Sequence, residues 1–183
     1  MNNASGDQGV RQRLINAGLA ELLEHGSADF SLRRVAAMAQ VSCAAPYRHF
    51  KDKDDLVRAI ISEIRENWIL LTKEIHSALG ADTRLYVVEL AVAAVRFWVA
   101  GDNFAPFLTQ GEIKDFDLPI ISAVESYAKG AKLSDEATGS ISTALLALVY
   151  GFVTLILSGR IDAEKAVKDL RKEVERLLDS DKL

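Results

Sequence analysis

The stretch Gln40–Leu56, QVSCAAPYRHFKDKDDL, decides how the rest of the chain is read. It contains a turn at Gln40–Ser42, a helix of barely two turns over CAAPYRHF, and the start of another helix at KDKDDL. Asp52 is placed to cap that next helix. Asp54 and Asp55 fall in its first turn, where carboxylates suit the positive helix end. A helix of two turns is not stable alone in water. Its neighbours must therefore brace it, and its exposed residues are free for other work.

Upstream lie two elements that can supply the bracing. From Arg11 the positions Leu14, Ile15, Ala17, Gly18, Leu22 and Leu23 recur at helical spacing, and EHGS ends that helix at Gly26. Ser31 caps a short second helix, LRRVAAMA. Three helices with a tight turn before the third describe a helix-turn-helix unit, whose third helix enters the DNA major groove. The expected core is Leu14, Ala17, Leu22, Phe30, Leu32, Val35, Ala36, Ala39, Val41, part of Tyr47, and Phe50.

The third helix then has a chemistry. Ser42 is the expected N-cap, where free backbone N–H groups suit a phosphate. Tyr47, Arg48, His49, Lys51 and Lys53 form a cluster of donors of the kind that positions a protein on phosphates. Base edges fall to Cys43, Ala44, Ala45 and Arg48, with Arg33 or Arg34 from the preceding helix. Alanines allow close approach, and a methyl group can meet a thymine methyl. Pro46 cannot donate to the Ser42 carbonyl, so the first turn is expected to be loosened or shifted.

The remainder also reads as helical. One helix runs from Asp52 until Gly80, and another covers Thr83–Ala100. A short piece lies around Pro106–Gly111, followed by Leu118–Lys132, Asp135–Ser158 and Ala163–Asp179. Asp117, Ser134 and Asp162 are the cap candidates. The fold class is all-α, with about nine helices. The domain reading is a disordered leader over 1–9, a helix-turn-helix domain over 10–55 and a larger helical domain over 56–183.

Two features of the larger domain point to partners. Aromatic residues crowd its middle, and Glu89 and Arg96 share one face of an otherwise apolar helix. Apolar walls with a few polar groups describe a ligand pocket, for which Tyr86, Glu89, Arg96, Phe97, Phe104, Phe107, Tyr127 and Tyr150 are candidates. The segment Ser140–Ser158 is apolar nearly all round, and Ala163–Leu178 has a clean apolar stripe. Paired with a second copy they would make a four-helix interface through Leu145, Leu148, Phe152, Leu155, Val167, Leu170, Val174 and Leu177. A single helix-turn-helix reads few base pairs, so a two-fold dimer on a pseudo-palindromic operator is expected.

Composition narrows the alternatives. The chain has 183 residues, is 49% hydrophobic and carries a net charge of −4. Residues 1–58 hold eight Lys/Arg and seven Asp/Glu, a net of +1, and the remainder has a net of −5. The single cysteine excludes an intramolecular disulfide and fits a reducing compartment. The longest apolar run, Ala144–Leu157, has 14 residues against the roughly 20 that a bilayer span needs. With no signal peptide visible at the start, the expectation is a cytoplasmic protein without membrane contact.

The sequence shows no HExxH, CxxC or glycine-rich phosphate loop. Cys43 and His49 lie six apart, about 240° around a helix, and cannot act as nucleophile and base together. No enzyme activity, metal or cofactor is expected. A helical ligand-binding or interaction module without DNA binding is the alternative reading.

The segment SLRRVAAMAQVSCAAPYRHFKDKDDLVRAI, Ser31–Ile60 with a capped helix, A-x-VS, Y-x-HF and K-x-K-x-x-L in order, resembles the DNA-binding segment of the tetracycline-repressor (TetR-type) family of bacterial regulators. The resemblance spans roughly Arg11–Ile61. It implies phosphate contacts at Tyr47, His49 and Lys53, and a recognition helix that starts at Ser42–Ala45. It further implies a homodimeric repressor, associated with the bacterial nucleoid and released by a small-molecule effector bound in the larger domain. The helix from Asp52 to Leu79 would be the lever. The chain departs from the pattern at Gln40, where the family often has glycine and a left-handed backbone is expected, and at Pro46, where an aliphatic residue is commoner.

Overall fold

A computed structural model describes residues 3–26, 28–100 and 116–179, with side chains from Asp7 onward. These residues form eight helices: α1 (Asn3–His25), α2 (Leu32–Met38), α3 (Pro46–His49), α4 (Lys53–Leu79), α5 (Thr83–Ala100), α6 (Leu118–Ala131), α7 (Asp135–Leu157) and α8 (Ala163–Asp179). There is no strand among the described residues, so the all-α reading holds. The expected short piece around Pro106–Gly111 lies outside them. The chain divides into two compact units, Met1–Glu66 and Asn67–Leu183, and the division falls inside α4.

In the first unit α1 packs against α2 and α3. Leu14, Ile15, Ala17, Leu22, Phe30, Val35, Ala36, Ala39, Phe50, Leu56 and Ile60 are buried together. Three expected members differ: Leu32 and Val41 are half-buried, and Tyr47 stands clear of the core. Gly18 permits the close approach of α1 to α4, because a Cβ there would sit 2.8 Å from Ile60 Cδ1. α1 takes in residues 3–9, for which the sequence predicted a disordered leader. No proline interrupts that segment, and Asp7 Oδ1 lies 3.5 Å from His49 Nε2.

The helix ends follow local chemistry. Gly26, at φ 71°, stops α1 in the left-handed conformation. Ser31 Oγ accepts the Arg34 N–H, and Asp52 Oδ1 accepts the Asp55 N–H at 2.8 Å. Ser134 caps α7 through the Ala137 N–H, and Asp162 caps α8 through the Lys165 N–H. Asp82 does the same for α5 through the Leu85 N–H, a cap not anticipated from the sequence. Asp117 is the exception. It makes no cap bond, because its Oδ1 accepts the Tyr150 hydroxyl at 2.6 Å.

In the second unit α5 is the central helix, packed against α6, α7 and α8. Half of its 18 residues are buried, from Tyr86 to Trp98. It is the helix apolar on every side that must be covered on every side. Beside it, Trp68, Phe97, Trp98 and Phe116 form a ring cluster, with Trp68 Nε1 donating to the Phe116 carbonyl at 3.1 Å. α7 contributes only the stripe Ile141, Leu145, Val149 and Val153 to the interior. It has 23 residues, most of them apolar. By length and composition it could cross a membrane, which the count of 14 consecutive residues missed because the serines and threonines before Ala144 end that run. Only 22% of its 18-residue apolar stretch is buried within the chain.

Candidate nucleic-acid interface and effector pocket

The turn before α3 has the geometry its residues dictate. Gln40 takes φ 56°, the left-handed conformation expected at that position and costly for a residue with a Cβ. Its N–H bonds to the Ala37 carbonyl, and the Val41 N–H bonds to the Ala36 carbonyl. The chain leaves α2 in this tight turn and runs through Ser42–Ala45 with one further turn bond, from the Ala45 N–H to the Ser42 carbonyl at 2.9 Å.

α3 starts at Pro46, later than a Ser42 cap would require. The cap position is Ala45, which has no side chain to accept a bond. Pro46 occupies the first helical position, where a missing N–H costs nothing. The shift expected from Pro46 is therefore present, and Ser42 is a turn residue instead of an N-cap.

The exposed residues of this region include Ser42, Cys43, Ala44, Tyr47, Arg48 and Lys51, with Arg33 exposed on α2. Tyr47 is 65% exposed, unusual for a large aromatic side chain. Ala45 is half-buried. Two cations brace the unit from its rim. Arg11 lies over the Phe50 ring at 5.3 Å, and Lys53 Nζ lies 5.8 Å from the Phe30 ring centre. The Lys51 N–H donates to Asp55, which holds the Asp55 carboxyl below its ordinary value.

Two expected DNA contacts are placed differently. Arg34 is bound within its own unit: its Nε donates to Glu21 Oε1 at 2.7 Å, and its Nη2 donates to the Asp29 carbonyl. Held there, its guanidinium is engaged by these two acceptors while the side chain stays 41% exposed. The His49 side chain is only 9% exposed and faces Asp7 of α1. It supports the join between α1 and α3 more than it faces outward.

Glu21 is the residue that sequence reasoning missed. It has no exposed surface, and its Oε1 also accepts the Ser31 N–H at 3.0 Å. Burial pushes its carboxyl up, but Arg34 and the Ser31 N–H outweigh burial, and the net is a carboxyl below its ordinary value. Its partner shifts oppositely, the Arg34 guanidinium being raised by the bond to Glu21. The signal was present in the spacing: Glu21 follows Leu14, Ala17 and Gly18 on the buried stripe of α1.

In the second unit a groove of about 650 Å³ runs between the C-terminal half of α4 and α5. Leu71, Ile75, Ala78, Leu79, Leu85, Val92, Ala93 and Phe97 form its apolar lining, and Glu74, Glu89 and Arg96 are its charged groups. Of the expected pocket residues, it includes Glu89, Arg96 and Phe97. Tyr86 is in the core, where burial raises its hydroxyl pKa. Tyr127 is also in the core and donates to the Leu178 carbonyl at 2.8 Å. Tyr150 is committed to Asp117, and burial with that carboxylate pushes its hydroxyl up. Phe104 and Phe107 lie outside the described residues.

Glu89 does not pair with Arg96. Both of its oxygens accept from Arg171 of α8, Nη2 to Oε2 at 2.9 Å, and this holds its carboxyl below the ordinary value. The Arg171 guanidinium is raised in turn. Of the expected dimer residues, Leu145, Val167, Leu170 and Val174 are buried inside their own chain, so they are core and not a contact surface. Leu148, Phe152, Leu155 and Leu177 are half-exposed.

Residues 14–60 match the family model described as bacterial regulatory proteins, tetR family. No curated protein sequence matches the chain. Among solved structures, the chain is similar to a TetR transcription regulator from Haloarcula marismortui, at 16% identity and TM-score 0.70, covering 94% of this chain and 98% of that one. It is also similar to a TetR-family member from Streptomyces coelicolor, at 23% identity and TM-score 0.62, covering 92% and 97%. The multidrug binding protein EbrR, complexed with imidazole, shares the fold at 21% identity and TM-score 0.56, covering 88% of each chain.

Proposed function

Because residues 14–60 match the family model described as bacterial regulatory proteins, tetR family, we propose that the chain is a dimeric, sequence-specific DNA-binding regulator of transcription. Its DNA affinity falls when a small molecule binds the second unit. The observation that carries the reading is the set of exposed residues Ser42, Cys43, Ala44, Tyr47, Arg48 and Lys51, held on a packed three-helix core. Tyr47 and Lys51 contact phosphates, with Lys53 at the edge of the same surface. Cys43, Ala44 and Arg48 meet base edges, and Arg33 reaches from α2.

The dimer uses the open side of α7. Ala147 and Gly151 are exposed there, and Leu148, Phe152 and Leu155 are half-exposed. Small residues let a second α7 approach closely, and the flanking side chains then lose their contact with water. The effector occupies the groove between α4 and α5. For release to follow, it must bind the non-DNA form more tightly. The protein works in the cytoplasm, on the nucleoid, as a repressor.

Selection of bound sequences from random duplex DNA tests this reading. The expected product is a pseudo-palindrome with half-site centres about 34–36 Å apart. Recovery of no enriched sequence, with the helical content intact by circular dichroism, would favour the module without DNA binding.

A further inference from the structure

We propose that the groove between α4 and α5 takes an anionic amphiphile, with its charged group on Arg96 and its apolar tail along the groove toward Leu85. This rests on the effector reading for its biological role, and on the groove alone for its chemistry. From Leu85 to Arg96 the groove follows eleven steps of α5, about 16 Å at 1.5 Å per residue. An elongated apolar tail fits such a shape better than a compact ring.

Among the charged groups that line the groove, Arg96 is the cation. Glu89 is already neutralised by Arg171, which engages both of its oxygens. Arg96 is exposed and lines the groove together with Glu89, seven residues earlier on the same face of α5. A guanidinium is weakly hydrated and gives up water beside apolar walls at low cost. Glu74 stands exposed on α4, and makes a cationic amphiphile the rival occupant.

The chain carries its own reporter. It has two tryptophans, and both touch the groove residue Phe97: Trp68 at 5.2 Å and Trp98 at 5.8 Å between ring centres. Tryptophan fluorescence of the full chain is titrated with decanoate, decanol and decylammonium. Saturable binding of decanoate is expected, with octanoate weaker on the order of tenfold, since each CH₂ contributes about fourfold. Arg96→Gln should weaken decanoate at least about tenfold and leave decanol unchanged. Ala93→Phe, which fills the groove, should weaken both.

Tighter binding of decylammonium, lost in Glu74→Gln, would overturn the proposal. Equal binding of decanol and decanoate, or binding of none of the three, would overturn it as well. The same additions to a complex with selected DNA separate the two readings. Decanoate that binds without releasing DNA contradicts the effector reading and leaves this proposal standing. Decylammonium that binds and releases DNA does the reverse.

Discussion

Glu21 and Glu89 each meet an arginine, one in each unit. Glu21 has no exposed surface, and it accepts from the backbone of Ser31 as well as from Arg34. Glu89 is about a third exposed, and its partner Arg171 is bound side by side. The first pair fixes where α2 begins, and therefore how the turn and α3 are presented. The second ties α5 to α8 at the rim of a groove. The same two residue types thus do different work, and burial decides which.

The largest effect should come from Glu21. Glu21→Ala leaves the Ser31 N–H and the Arg34 guanidinium without their acceptor. It is expected to destabilise the first unit by about 2 kcal/mol, less than a fully buried pair would cost because Arg34 reaches water. Urea unfolding followed by circular dichroism measures it, and a loss as small as that of Glu89→Ala would remove the distinction. Glu89→Ala is expected to cost about 0.5–1 kcal/mol.

Acid tests both pairs. Both carboxyls lie below their ordinary 4.5 in the folded chain. Each contributes stability that is fully present above 4.5 and is lost as pH falls through its lowered folded value. Glu21→Gln and Glu89→Gln should therefore each flatten the stability-against-pH curve below about 4.5.

The smallest effect concerns the turn. Gln40→Gly removes the left-handed cost at φ 56° and adds freedom to the unfolded chain. The expected net gain is about 0.5 kcal/mol, read from the same unfolding curves.

Much of the first unit was legible because its signals are local. Ser31, Asp52 and Gly26 mark ends that depend on residues three or four positions away, and the left-handed turn at Gln40 follows the same logic. Arg34 was not legible: Arg33 and Arg34 are adjacent, and periodicity does not say which one finds a buried carboxylate. The second unit depends on contacts between distant segments. Tyr127 and Tyr150 bear the composition of pocket residues, yet their hydroxyls are bound to Leu178 and Asp117. Likewise, Leu145 and Leu148 look equivalent in sequence, but only the first is covered by its own chain.

The most direct test of the central claim is duplex DNA binding by the purified chain, followed by fluorescence anisotropy between about 50 and 200 mM salt. Affinity should fall steeply with salt, Tyr47→Ala should weaken binding to all sequences alike, and Lys51→Ala should reduce the salt slope by about one. An affinity indifferent to salt and unchanged in both variants would contradict the assignment of the Ser42–Lys51 surface to DNA.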